Sequence, residues 1–118
     1  MKYFRKMKEI KAFIKPNRIQ RVIEALAENG FKSMTLSQAE GTGAFKAKGA
    51  RPSLDFHVTD SPVVKLELVC QNEEAQDAID LIIANGKTNE QGDGIIYMMD
   101  IEDAFQIKTG ESLKKKQG

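Results

Sequence analysis

The residue types with the most chemical potential sit together in Thr88-Asn89-Glu90-Gln91-Gly92-Asp93-Gly94, between an apolar helix-like run and the strand-like Ile95-Ile96-Tyr97-Met98-Met99. Gly has no Cβ and tolerates positive φ, so such a loop can bring several backbone N–H groups around an anion. It reads as a phosphate-cradling loop, although Gly-Asp-Gly also makes an ordinary turn. A second constellation is His57 with Asp55 and Asp60, which could ligate a divalent metal. A surface hairpin histidine is the better reading, because no second His and no nearby Cys completes a donor set. Cys70 ends an apolar strand and reads as a buried, inert thiol rather than a reactive one. Met98-Met99 reads as alternating core and surface positions of a strand, not as a soft-metal site. Glu73-Glu74 supplies an acidic first helical turn. No nucleophile–base pair stands out, so the chain is expected not to be an enzyme. Only Asp93, Glu67 and His57 would offer a base to an interface enzyme.

These residues need elements to hold them. The chain has 118 residues, which suits one core and one domain. Lys and Arg total 18 against 17 Asp and Glu, a formal charge of +1, so nucleic acid is not expected as a partner. Lys2, Arg5, Lys6, Lys8 and Lys11 at one end and Lys114-Lys115-Lys116 at the other read as solvated termini. One cysteine rules out an intrachain disulfide and fits a reducing compartment. Without a secretory core or a spanning run, the expected location is the cytoplasm.

Glu9 to Ile14 alternates polar and apolar, as a half-buried strand does, and Pro16-Asn17 breaks it. Ile19, Val22, Ile23 and Leu26 recur at helical spacing until Asn29-Gly30. Phe31 to Glu40 reads as a second strand, and 41–53, rich in Gly and Lys, as an exposed loop. Leu54 to Val58 and Val63 to Cys70 read as strand arms interrupted by Thr59-Asp60-Ser61-Pro62. Glu73 to Asn85 is a second amphipathic helix with Ala75, Ala78, Ile79, Ile82 and Ile83 inward. Ile95 to Met99 is a further core strand, and Asp103 to Ile107 a short helical or extended piece before a polar tail.

The order β-α-β, loop, β-α-β predicts an α+β, ferredoxin-like βαββαβ fold: an antiparallel sheet with two helices on one face. The apolar residues on the other face suggest a covering subunit. Residues 1–6 read as an extension, 7–111 as the domain and 112–118 as a polar tail.

In this order the residues resemble the PII signal-transduction family. Met7-Lys8-Glu9-Ile10 through Ile14-Lys15-Pro16 is similar to its first strand and exit, and Glu24-Ala25-Leu26-Ala27-Glu28-Asn29-Gly30 with Met34-Thr35 to its first helix and second strand. Gly41-Thr42-Gly43 resembles the root of the family's long T-loop, and Gly49-Ala50 with Leu54-Asp55-Phe56 its far end. Thr88 with Gly92-Asp93-Gly94 resembles the B-loop. Glu102-Asp103-Ala104, Ile107 and Thr109-Gly110-Glu111 resemble the C-terminal segment. The resemblance implies a homotrimer binding an adenine nucleotide (ATP, ADP or AMP) in clefts between subunits. On that mapping Phe13, Thr35, Glu67 and Val69 surround the adenine, and Gly41 and Gly43 line the cleft. Thr88, Gly92, Asp93 and Gly94 wrap the phosphates, and Lys108 reaches in from a neighbouring chain.

The chain departs from the family's pattern at several cations. Ile95 follows Gly-Asp-Gly where Lys or Arg is usual, Glu90 stands for a B-loop Lys, and Gln106 and Lys108 stand for two C-terminal basic residues. In the T-loop, Phe45 and Val63 align with the Gln and Lys that serve 2-oxoglutarate, so 2-oxoglutarate is not expected as a ligand. Pro52 and Ala50 align with the modified Tyr and Ser.

The expected function is therefore a regulator that binds a nucleotide or related small anion and controls a membrane transporter or cytoplasmic enzyme. Phe45, Lys46, Lys48 and Arg51 would make up the partner-binding loop. The alternative is a trimeric partner-binding protein tied to ion transport, ligand-independent or metal-responsive, with His57 and Asp60 as weak metal candidates.

Overall fold

The computed structural model describes residues 6–42, 51–52 and 59–114, with side-chain surroundings for all but 51, 52, 59 and 60. Strand β1 (Met7–Ile14) leads through a Pro16-Asn17 turn into helix α1 (Ile19–Glu28), then strand β2 (Thr35–Gly41). A two-residue strand β3 (Arg51–Pro52) precedes the long β4 (Thr59–Gln71), helix α2 (Asn72–Gly86) and strand β5 (Ile96–Ile101). The sheet order is β2-β4-β1-β5, with β3 paired to the start of β4. All pairings are antiparallel. This is the α+β, ferredoxin-like arrangement expected from the element order.

The period-2 pattern of β1 decides which face is buried. Ile10, Ala12 and Ile14 point to the helices, opposite Leu68, Leu66 and Val64 of β4. They join Val22 and Leu26 of α1 and Ala75, Ala78 and Ile82 of α2 in one apolar core that also holds Cys70. Glu9, Lys11 and Phe13 face the other way. There Tyr97, Lys11, Glu67 and Thr35 form one row straight across four strands. Tyr97, Met99 and Val69 remain between 40% and 45% exposed, an apolar fraction on a face with no helix over it.

Five expectations change. Thr59–Pro62 does not interrupt a strand but belongs to β4, where Ser61 pairs with Gly41 and Pro62 with Glu40. Pro62 lies past the end of β1, so one edge of β4 carries no ladder bond there for Pro to break. The second strand starts at Thr35, not Phe31; Phe31 and Met34 instead pack against the core from the α1–β2 connection. Ile83 is 47% exposed rather than inward, because Ala78 and Ile82 already fill the narrow stripe of α2 that meets the sheet. β5 is an edge strand rather than a core strand, and both Met98 and Met99 are exposed. Within the expected exposed loop 41–53, Gly41 ends β2 and Arg51–Pro52 pairs with β4. Leu54 to Val58 lies outside the described residues.

Residues 104–113 form a small hairpin. Phe105 bridges to Ser112, Leu113 N–H donates to Ala104 O at 2.8 Å, and Gln106 N–H to Glu111 O at 2.9 Å. Asp103 anchors its base: the Ser112 hydroxyl donates to it at 2.6 Å and the Ala104 N–H at 2.7 Å. The Ser112 bond, foremost, holds the Asp103 carboxyl below its ordinary pKa. Ile107 and Lys108 lie at the hairpin's tip, and the Ile107 side chain is wholly exposed.

Candidate functional site

The loop 88–94 is built around one buried cation. Lys15 leaves β1 and is only 8% exposed. Its ammonium donates to the Gln91 carbonyl at 2.8 Å and to Thr88 Oγ1 at 3.0 Å, and lies 3.4 Å from Asp93 Oδ1. An ammonium has three N–H donors, so these contacts engage all of them. The Thr88 hydroxyl donates to Asp93 Oδ1 at 2.7 Å and accepts the Glu90 N–H at 3.2 Å, while the Thr88 N–H donates to Asp93 Oδ2 at 2.8 Å. Burial works against the Asp93 carboxylate, but the Thr88 N–H, the Thr88 hydroxyl and Lys15 outweigh it and keep its pKa below the ordinary value. Thr88 and Asp93 thus close the loop on itself.

The loop then lands on β1. Phe13 N–H donates to Ile95 O at 3.1 Å. A Cβ added at Gly94 would lie 2.1 Å from the Phe13 carbonyl oxygen, closer than any real contact, so only glycine permits this approach. Gly92 has φ of +93°, the left-handed turn that folds the loop back. Among the described residues, none accepts a hydrogen bond from the N–H groups of Gly92, Asp93 or Gly94. Beside them the Phe13 ring meets Tyr97 edge to face, with centroids 6.0 Å apart.

The other expected site residues among those described fall in three places. Thr35 and Glu67 are direct cross-strand partners, and with Val69 they line a groove of about 580 Å³ that also takes in Glu9, Lys32 and Ser33. Glu67 lies 3.5 Å from Lys65. Gly41 is buried at the end of β2, opposite Ser61. Lys108 is exposed in the hairpin turn, away from the loop in sequence but free to reach outward. Within one chain, then, the loop with Phe13 occupies the β1–β5 side and Thr35, Glu67 and Val69 the β2–β4 side. Gly43, Phe45, Lys46, Lys48 and His57 lie outside the described residues, as do the side chains of Arg51 and Asp60. Among the described residues no three His, Cys, Asp or Glu side chains cluster as metal ligands.

Lys15 is the site residue that sequence reasoning passed over. Its position between Ile14 and Pro16 reads as a strand exit, and 73 residues separate it from Thr88. The available signal was Asp93, an acidic residue inside an anion-cradling loop, which implies a cation elsewhere to neutralise it. Arg18 plays a smaller supporting part, donating from Nη2 to the Lys87 carbonyl at 3.0 Å at the end of α2. Cys70 is buried, and burial with the nearby Glu74 pushes its thiol pKa up to about 11, so it stays protonated and unreactive at neutral pH. No helix among the described residues is long and apolar enough to cross a membrane.

Comparison with known proteins gives this geometry its context. Residues 7–111 match the family profile described as Nitrogen regulatory protein P-II. A nitrogen regulatory protein P-II of Bradyrhizobium diazoefficiens is 40% identical over 111 residues, covering 90% of this chain and 96% of the relative. P-II 1 of Escherichia coli is 37% identical over 110 residues, covering 89% and 95%. The crystal structure of Arabidopsis thaliana PII bound to citrate superposes with a TM-score of 0.72 at 30% identity, covering 91% of this chain and 88% of that one. The match spans the strand exit at Lys15, the loop at Thr88 to Gly94 and the terminal hairpin as far as Glu111, so the chain belongs to the P-II family of signal-transduction regulators.

Proposed function

We propose that this protein is a small-molecule-responsive regulator that assembles as a homotrimer and binds an adenine nucleotide in the clefts between subunits. The observation that carries this reading is the loop 88–94. Its scaffold is closed internally by Lys15, Thr88 and Asp93, while three successive N–H groups at Gly92, Asp93 and Gly94 have no acceptor among the described residues. Successive N–H donors without acceptors in a loop closed by its own side chains can hold an anion. Phe13 at its floor offers an aromatic surface for a base. Thr35, Glu67 and Val69, at the β2–β4 end of the same face, complete the cleft from a neighbouring chain, and Lys108 crosses from its hairpin. The apolar exposure of Tyr97, Met99 and Val69 on the helix-free face supports a subunit packed there.

The loop with Phe45, Lys46, Lys48 and Arg51 then acts as the docking element for a membrane transporter or a cytoplasmic enzyme, and ligand in the cleft biases its conformation. The test is thermal unfolding with ATP, ADP and AMP, each with and without magnesium and 2-oxoglutarate. A ligand at a hundredfold excess over its dissociation constant stabilises the folded form by about 2.7 kcal/mol. A shift with a nucleotide and none with 2-oxoglutarate supports the reading; silence across the panel sinks it and leaves a partner-binding trimer without a nucleotide signal.

A further inference from the structure

The charge distribution around the loop limits what the cleft can hold. Lys15 is the cation built into the loop, but it is buried and its three donors are all engaged, one of them by the Asp93 carboxylate that cancels its charge. The remaining charges on residues 87–95 are Lys87 and Glu90, both exposed and of opposite sign. The Arg18 guanidinium donates through Nη2 to the Lys87 carbonyl at the C-terminal end of α2, while its buried Nε has no partner among the described residues, so Arg18 keeps its charge. Ile95, where the loop meets β5, is 44% exposed and presents a hydrocarbon side chain at the rim. On the hairpin, Gln106 is neutral and accepts from the Thr109 hydroxyl at 3.3 Å, while Ile107 is bare and Lys108 is the one cation, with Glu111 of opposite sign three residues on. Among the described residues the loop therefore offers N–H dipoles and an aromatic floor, with Arg18 as the one cation left uncancelled beside it.

Backbone donors can satisfy one phosphate group. A chain of phosphates carries further negative charges that need matching cations, since each uncompensated charge in a partly desolvated cleft opposes binding. Resting on the nucleotide cleft proposed above, we infer that its ligand is an adenine nucleotide with a single phosphate group, and that di- and triphosphates are disfavoured. Glu90 sharpens the selection by repelling the outer phosphates, and Ile95 denies them an ion pair.

Calorimetric titration of the full chain at fixed ionic strength without magnesium, using AMP, 3′,5′-cyclic AMP, ADP and ATP, tests this. The expected result is that AMP or cyclic AMP binds about tenfold or more tightly than ATP, a difference of one decade in Kd. Its affinity should also change little with added salt, because few exposed charges contribute. The tighter of the two monophosphates then identifies the source. ATP or ADP binding tightest overturns the single-phosphate inference while leaving the nucleotide cleft standing. No heat with any of the four overturns the cleft as well. The variant Glu90→Lys, at an exposed position, should shrink the preference for monophosphate over ATP by about tenfold with the unliganded unfolding temperature unchanged. An unchanged preference in that variant also overturns the inference.

Discussion

At the residue scale, two contacts decide whether the loop exists. Gly94 lets the backbone close on the Phe13 carbonyl, where a methyl group would sit 2.1 Å from the oxygen. The atoms it would meet are the carbonyl and Cβ of Phe13, with no flexible side-chain end to yield, so Gly94→Ala should lower stability by about 2 kcal/mol or more. Urea unfolding checks this, and a midpoint equal to that of the unaltered protein would refute the packing argument. Asp93 sets the second contact. Its folded pKa lies below the ordinary carboxylate value, so its contribution is complete above that value and is lost as pH falls through the folded pKa. The destabilisation of Asp93→Asn should therefore be largest near neutral pH and fade below about pH 4. Paired unfolding curves at pH 7 and pH 3 read this directly; an equal deficit at both would assign the loss to shape rather than charge.

At the element scale, α2 shows how much periodicity settles and where it stops. The apolar positions of 73–85 predict the helix, and Asn72–Gly86 is helical. The same pattern puts Ile82 and Ile83 inward together, yet they are 3% and 47% exposed. A 100° step separates adjacent residues, and which one meets the sheet depends on how the helix lies across β1 and β4. Ile82→Ala should cost about 2–5 kcal/mol and Ile83→Ala well under half of that. Comparable losses in urea unfolding would mean that Ile83 is buried in solution, as a covering neighbour would make it. The continuity of β4 through Pro62 belongs to the same scale. Pro marks a break when both strand edges are bonded, and nothing local reveals that β1 has already ended at Ile14.

At the scale of the whole molecule, the helix-covered face is finished and the other is not. Lys11 and Glu67 lie opposite each other in the central row, and Tyr97, Met99 and Val69 flank them. The hairpin adds a wholly exposed Ile107 and a Phe105 that is 63% exposed. On the homotrimer proposed above, these groups meet neighbouring chains. Tyr97→Glu should then shift the sedimentation of the protein from trimer towards monomer, since an unpaired carboxylate would be placed in an apolar contact. Unchanged sedimentation would remove Tyr97 from the assembly surface.

Local chemistry alone carried the element order, the two amphipathic helices, the inward face of β1 and the Gly-rich loop as a ligand candidate. Alternation, helical spacing and the punctuation of Asn29-Gly30 act over a few residues, so a linear chain displays them openly. The role of Lys15, the edge position of β5 and the division of Thr35, Glu67 and Val69 from the loop were decided by the tertiary structure. Those depend on which strands become neighbours. Lys15 meets Thr88 only because β1 pairs between β4 and β5, which brings the exit of the first strand beneath the entry to the last. A buried ammonium has to find its carboxylate and carbonyls wherever the fold has put them, and that requirement leaves no mark on either sequence segment taken alone.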